Sequence, residues 1–169
     1  NIGGTTRAAV TGTDINKELD KLDNSTSDDV AVKAQDATTS ESHVGSLAVG
    51  IGADGGAGVS AASDTLFLSR KTVAELSGTD TTEKTVNGRN VAVTADQRST
   101  VVTNADGVAG AGGVYGAGAV AATAAATKLD GSVTATMKNI ISNNKGLDIS
   151  AKHDHETTLV SASAAMSAA

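Results

Sequence analysis

The pentapeptide Val30-Ala31-Val32-Lys33-Ala34 is the main indication of the fold, because its pattern recurs further along the chain as Val91-Ala92-Val93-Thr94-Ala95. A third copy aligns at Ile149-Ser150-Ala151-Lys152-His153. The first copy alternates apolar residues at positions 30, 32 and 34 with Ala31 and Lys33, which is the period of a half-buried strand. The copies predict a repeat protein made of strands, in which each unit buries its apolar side against the next unit.

The alignment extends well beyond these five residues. Further matches are Thr38-Thr39 with Ser99-Thr100 and Thr157-Thr158, Leu47 with Val108 and Met166, residues 50–62 with 111–123, and residues 73–76 with 133–136. Residues 7–14 can be laid over residues 73–80, so residues 1–29 form the tail of a preceding unit. We therefore expect one segment of a longer protein, with a tail at 1–29, repeats at 30–90 and 91–148, and the start of a further repeat at 149–169.

The composition favours a thin, layered core over an ordinary globule. Among 169 residues, Phe67 and Tyr115 are the only Phe, Tyr or Trp residues, and neither cysteine nor proline occurs. The lack of cysteine excludes a disulfide framework, and the lack of proline leaves every strand able to pair on both sides. A net charge of −6 argues against nucleic-acid binding, which needs a basic face. No run of about 18 apolar residues occurs, so no membrane insertion by this segment is expected.

Helix is the rival interpretation at two places. The alanine-rich tract 117–127 is preceded and interrupted by five glycines between positions 110 and 118, each costing a helix about 1 kcal/mol, so we predict strands there. At residues 14–23, by contrast, Ile15, Leu19 and Leu22 lie at helical spacing, Asp14 is a candidate N-cap and Glu18 falls in the first turn. We predict a short surface helix at 14–23.

One cluster has the residue types of a metal site, namely His153-Asp154-His155-Glu156. On a strand, His153 and His155 share a face, but a structural zinc site needs four ligands and His43 is the only other histidine. The aligned positions in the other copies are Ala34 with Asp36 and Ala95 with Gln97, so the repeat does not require histidine. We interpret the cluster as a solvated polar patch and expect no metal ligand.

The remaining polar motifs are interpreted as structural. Gly52-Ala53-Asp54-Gly55-Gly56-Ala57-Gly58 and Asn104-Ala105-Asp106-Gly107 resemble calcium turns but lack the nonapeptide period of calcium β-rolls, so both are predicted to be plain turns. The adjacent carboxylates Asp28 and Asp29 would point to opposite faces of a strand, so they are not an acid pair for glycan cleavage. We expect no catalytic residue and no cofactor.

The repeated Val-Ala-Val-Lys-Ala and Val-Ala-Val-Thr-Ala, each followed by a Thr/Ser stretch and a Gly/Ala/Val tract, resembles the repeat region of large bacterial filamentous adhesins of the leukotoxin and filamentous-haemagglutinin-like types. The resemblance implies an all-β, right-handed parallel β-helix, or β-solenoid, exported as a two-partner or autotransporter passenger. It also implies an extracellular location on the bacterial outer surface and a structural, non-catalytic role as a stalk or passenger segment of the adhesin.

Two other functions stay open as alternatives. Leu47-Ala48-Val49-Gly50-Ile51-Gly52 hints at a trimeric autotransporter adhesin head, a binding module whose repeat is shorter than the one found here. A polysaccharide-degrading β-helix enzyme is the third, and it would need a carboxylate pair that the sequence does not offer. The expected partners are neighbouring repeats of the same chain, together with host-cell or bacterial surface ligands that the parent protein binds.

Overall fold

The computed structural model describes residues 1–18 and 29–168, and within those ranges the chain is all-β with no helix. Five long strands of 22 to 24 residues dominate it. The strands are β1 (Ile2–Thr11), β2 (Val30–Gly52), β3 (Gly56–Ser77), β4 (Lys84–Thr85), β5 (Asn90–Gly113), β6 (Ala117–Lys138), β7 (Ile140–Ile141) and β8 (Gly146–Ala168).

All strand pairs are parallel, and they form three sheets with the orders β1-β3-β6, β2-β5-β8 and β4-β7. Successive long strands alternate between the first two sheets, which pack face to face. Within a sheet, each strand pairs with the strand one repeat further along, as Val30 does with Val91 and Gly56 with Ala117. The repeat of the sequence is therefore the spacing between hydrogen-bonded neighbours.

The register of the third copy differs from the sequence alignment by two positions. Val91 pairs with Leu147, and Ile149 pairs with Val93, so the alignment of Ile149 with Val91 is wrong. A shift of two keeps every side chain on its own face of the sheet, so the alternating pattern does not reveal it. In the looser second half of the unit, Val133 pairs with Thr72 and not with Val73.

Two predictions about the strands are confirmed. Arg7 pairs with Val73 and Thr11 pairs with Ser77, as the overlay of residues 7–14 on residues 73–80 of the following repeat requires. The alanine-rich tract lies within β6 (Ala117–Lys138) and is extended throughout, as the cost of helical glycines predicts.

The predicted helix at 14–23 is wrong over its described part. Ile15 forms a parallel bridge with Val86, and its amide donates a hydrogen bond of 2.9 Å to the carbonyl of Thr85. The Asp14 carboxylate does not cap a helix but accepts a hydrogen bond of 2.8 Å from the amide of Thr85. Apolar burial beside the neighbouring repeat therefore prevails over local helix spacing at Ile15, and residues 19–23 lie outside the described part of the chain.

The apolar core occupies one end of the space between the two long sheets. Its larger cluster contains Val30, Val32, Ala34, Ala74, Leu76, Val86, Val91, Val93 and Ala95. The predicted alternation is confirmed there, because Val30, Val32 and Ala34 are buried while Ala31 and Lys33 are exposed. A smaller cluster of Leu66, Leu68 and Val101 lies further along the strands. Inward positions are polar between the two clusters and again beyond the smaller one, and then become mostly glycine, alanine or serine.

Candidate functional site

The middle of the space between the sheets is lined by polar side chains. Inward-facing and buried polar residues are Asp36, Ser40, Ser60, Asp64, Thr72, Gln97, Ser99 and Thr103. Groups buried in this way need hydrogen-bond partners, because an unpaired buried polar group is costly. Their partners therefore indicate whether this row is a reaction site or a structural device.

An ion pair between the buried Asp36 and the half-buried Arg70 joins the two sheets. The guanidinium donates from Nε to Oδ2 over 2.8 Å and from Nη2 to Oδ1 over 2.7 Å. These hydrogen bonds from Arg70 hold the pKa of the Asp36 carboxyl below its ordinary value, against the opposing effect of burial. Space for the arginine comes from glycine, since a Cβ on Gly4 would stand 2.7 Å from Nη1 of Arg70. The pair thus bridges the sheets at a position where a neighbouring side chain is absent.

Hydroxyl groups continue these cross-sheet links towards the other end of the strands. The Ser42 hydroxyl donates to Oδ1 of Asp64 over 2.7 Å, and the oxygens of Ser46 and Ser60 lie 2.6 Å apart. The same kind of bond joins Thr103 to Thr127 over 2.7 Å. The polar groups of the interior thus bind mainly one another. Their hydrogen bonds hold the two sheets together, and this arrangement fits a structural contact better than a substrate site.

Three buried side-chain atoms lack a hydrogen-bond partner among the described residues; one is Oδ1 of Asp96, on the outward side of β5, and the other two face the interior. Those two are Oδ2 of Asp64 and the hydroxyl of Ser99, and both residues are buried. Asp64 retains its bond to Ser42, so half of its carboxylate is satisfied. Neither atom belongs to a group of three His, Cys, Asp or Glu residues, because the described ranges contain no such group with metal-binding geometry.

The histidine cluster divides between the two faces of β8. His153 and His155 lie on one face, as predicted, with ring centroids 3.7 Å apart. Burial, and then the charge of His155, lower the pKa of His153. Asp154 alternates to the opposite face, where Oδ2 lies 3.8 Å from Nε of Arg98. The remaining histidine, His43, lies apart from them, with Nε2 3.4 Å from Oδ2 of Asp106.

The actual register changes which residues are equivalent to the two histidines. His153 pairs with Gln97 and His155 pairs with Ser99, and the preceding repeat supplies Asp36 and Thr38. The aligned pairs Ala34 with Asp36 and Ala95 with Gln97 are therefore wrong by two positions. Asp36, Gln97 and His153 are ladder partners, so His153 lies on the inward side of β8, where both histidines are exposed because β8 is the last strand of its sheet in this chain.

The two glycine and aspartate motifs have different structures. Ala53 and Asp54 form a turn between β2 and β3, followed by Gly55 at φ 137°, a value that suits glycine. The predicted turn at residues 104–107 is wrong, since these residues lie inside β5. Ala105 is fully buried between Asn104 and Asp106, and this alternation is that of a strand.

Asp29 serves as a link between repeats. Its Oδ1 accepts hydrogen bonds from the backbone amide of Asn90 over 3.2 Å and from Nδ2 of Asn90 over 2.8 Å. Asp29 therefore ties the start of β2 to the start of β5, and its neighbour in the acid pair considered above, Asp28, lies outside the described residues.

Sequence reasoning missed a surface at the glycine-rich end of the long strands. We call it the apolar end and define it as residues 44–62, 107–127 and 157–168, which contain one charged residue, Asp54. Large apolar side chains are exposed there, with Ile51 85 % and Tyr115 82 % accessible. The sequence does indicate this surface, because the large apolar residues of β2 change from inward positions, as at Val30, to outward positions, as at Ile51.

The chain was compared with models of protein families, with curated proteins and with solved structures, and no match was found in any of the three. In the described residues, no helix is long and apolar enough to cross a membrane.

Proposed function

We propose that the chain is a β-solenoid segment of a filamentous-haemagglutinin-like surface protein, with a structural and non-catalytic role in display. In this proposal the coil is right-handed, the segment lies outside the bacterial cell, and its partners are the neighbouring repeats. One observation supports it above the others. Each long strand pairs in parallel with the strand one repeat later, while successive strands alternate between two facing sheets.

The dimensions favour display of a surface over reach. Strands of 22 to 24 residues are about 75 Å long, at about 3.3 Å per residue. Each further repeat adds one strand to each sheet and so raises the stack by about 4.8 Å. A spacer that uses a whole repeat for so small a rise is inefficient, whereas the two outer faces it creates are broad. A role as a wide support for exposed side chains therefore fits the geometry better than a role as a long thin stalk.

The chemistry of the interior supports the non-catalytic part of the proposal. The buried carboxylate of Asp36 is neutralised by Arg70, and that of Asp64 accepts a hydrogen bond from Ser42. A catalytic carboxylate pair must flank a substrate that enters between the two groups. Here these carboxylates face side chains of the opposite sheet, so their bonding stabilises the packing of the two sheets.

Duplication of one repeat tests the proposal. A second copy of residues 30–90 inserted between Asn90 and Val91 should raise the stack by about 4.8 Å and leave the width of about 75 Å unchanged in small-angle X-ray scattering. Far-ultraviolet circular dichroism should retain one β-type minimum. If the maximum dimension instead grew by tens of ångströms, each repeat would be a separate globule and the solenoid would be excluded. Sedimentation in the same buffer separates a monomeric segment from a trimeric adhesin head.

A further inference from the structure

The apolar end is exposed because the space between the sheets is too narrow there to hold side chains. A Cβ on Gly58 would overlap the carbonyl oxygen of Gly110 and stand 3.0 Å from its carbonyl carbon. A Cβ on Gly56 would likewise meet the backbone of Gly112. Since the two backbones touch, large side chains at this end have room only on the outer faces.

Apolar side chains cover both outer faces and the turn that joins them. Leu47, Val49, Ile51 and Met166 lie on the sheet β2-β5-β8, and Val59 and Val120 lie on the sheet β1-β3-β6. Val114 and Tyr115 project from the turn between β5 and β6, with 73 % and 82 % of their surface exposed. The apolar end is thus a thin double sheet that is apolar on two sides and, apart from Asp54 in the turn between β2 and β3, at its tip.

A flat partner would leave most of this surface in water. One face measures about nine residues by three strands, or roughly 30 by 14 Å, which is roughly 400 Å². A stable protein interface buries about 800 Å² on each partner, so contact with a second copy through one face is too small. A partner that surrounds both faces and the tip would cover the whole patch. A lipid layer does this without any specific complementary shape.

We propose that the apolar end inserts into the headgroup and upper acyl region of a zwitterionic lipid bilayer. The net charge of −6 disfavours an anionic membrane, and the apolar end has no basic side chain. Insertion is shallow, because an open sheet cannot satisfy all of its backbone groups in the hydrocarbon core. The proposal differs from the expectation from the sequence that the segment does not insert, and it does not depend on the proposed display function.

A single fluorescent reporter tests the insertion, because the chain has no tryptophan. Tyr115→Trp places the reporter at the tip, and Phe67→Trp places it about 36 Å away along β3, on an outer face outside the apolar end. With phosphatidylcholine vesicles, the emission of Tyr115→Trp should shift to shorter wavelength and be quenched by lipids brominated on the acyl chain. The emission of Phe67→Trp should not change. An equal response of both variants, or no response of Tyr115→Trp, would overturn the proposal.

Charge placed on the two faces provides a second test by vesicle flotation. The double variant I51D and V59D should reduce the vesicle-bound fraction roughly tenfold or more, because a carboxylate is costly in acyl surroundings. The matched control T65D adds a charge to the outward side of β3 beyond the apolar end and should bind as the unaltered chain does. Circular dichroism confirms that each variant is folded. If the apolar end instead drove self-association in sedimentation, with no binding to vesicles, a second copy would be its partner and the lipid proposal would fail.

Discussion

The close contact between the sheets at the apolar end predicts that one methyl group will disrupt the fold at Gly58. In Gly58→Ala the new Cβ would overlap the Gly110 carbonyl oxygen and lie 3.0 Å from its carbonyl carbon, where carbon atoms prefer about 3.5–4.0 Å. The sheets would have to separate by about 1 Å, and no side-chain rotation relieves the contact because both partners are backbone. Overpacking costs about 1–3 kcal/mol, and we expect the upper end, about 3 kcal/mol.

Two other glycines in the same sheets serve as controls for this substitution. A Cβ on Gly45 meets nothing within 4 Å, so Gly45→Ala should be neutral or stabilise the fold by about 0.5 kcal/mol through the lower entropy of the unfolded chain. Gly110 takes part in the same backbone contact, yet its own Cβ would point into open space, so Gly110→Ala should also be tolerated. At this contact the fold is thus predicted to be sensitive to a side chain at Gly58 and not to one at Gly110.

Urea denaturation followed by circular dichroism measures these three free energies of unfolding. A loss of about 3 kcal/mol for Gly58→Ala against little change for Gly45→Ala and Gly110→Ala is the expected pattern. If Gly58→Ala were as stable as Gly45→Ala, to within the small spread that is usual for surface substitutions, the sheets would not touch by backbone at this end. The explanation of the exposed apolar side chains would then be lost.

Three further predictions concern charged groups. Arg70→Ala leaves the buried Asp36 carboxylate without its cationic partner, so it should lower the free energy of unfolding in urea by about 3 kcal/mol. The control Arg7→Ala removes an exposed pair and should lower it by less than about 1 kcal/mol. Equal losses in the two variants would show that the burial of Asp36 does not matter. Because Arg70 holds the pKa of Asp36 below its unfolded value near 3.8, the stability from this group is complete above that pH and is lost as the pH falls through the folded pKa. Acid titration of Arg70→Ala should therefore show a smaller loss below pH 4 than the unaltered chain, and an unchanged slope would contradict the assignment. Burial, and then His155, lower the pKa of His153 below 6.5, so its protonation opposes folding and stability should decline as the pH falls from about 7.5 to 5.5. His153→Gln, which copies Gln97 of the preceding repeat, should flatten this decline, and a decline of the same size in the variant would refute the role of His153.

The strands and the first register could be predicted because both depend on local alternation. Val30 and Val32 face inwards and alternate with exposed neighbours, and their pattern recurs at Val91 and Val93. The third copy could not be placed, because Leu147 and Ile149 differ by two positions and both present an apolar residue to the same face. Backbone hydrogen bonding between β5 and β8 chooses between them, and a period of two carries no information about that choice.

The candidate functional surface was harder to predict than the strands. The change from inward Val30 to outward Ile51 within one unbroken strand is visible in the sequence as a change of phase, so it could have been found. The polar interior was harder to predict from the sequence, because the hydrogen bonds between Asp36 and Arg70 join residues 34 positions apart on different sheets. Neither residue belongs to a motif, and only their opposition across the two layers gives them a partner.

The pattern of side chains along the chain is sufficient to specify extended strands, a long sequence repeat and the preference for β structure in an alanine-rich tract. This pattern carries information about residues two positions apart, because the side chains of a strand alternate between its two faces with that period. The distance between the sheets is a different kind of quantity. It depends on Gly58 meeting Gly110, which is remote in the chain, and on Asp36 meeting Arg70. Packing between the layers therefore decides which side chains are enclosed and which are left on the outer faces, because a glycine contact removes the interior space that an apolar side chain would otherwise fill.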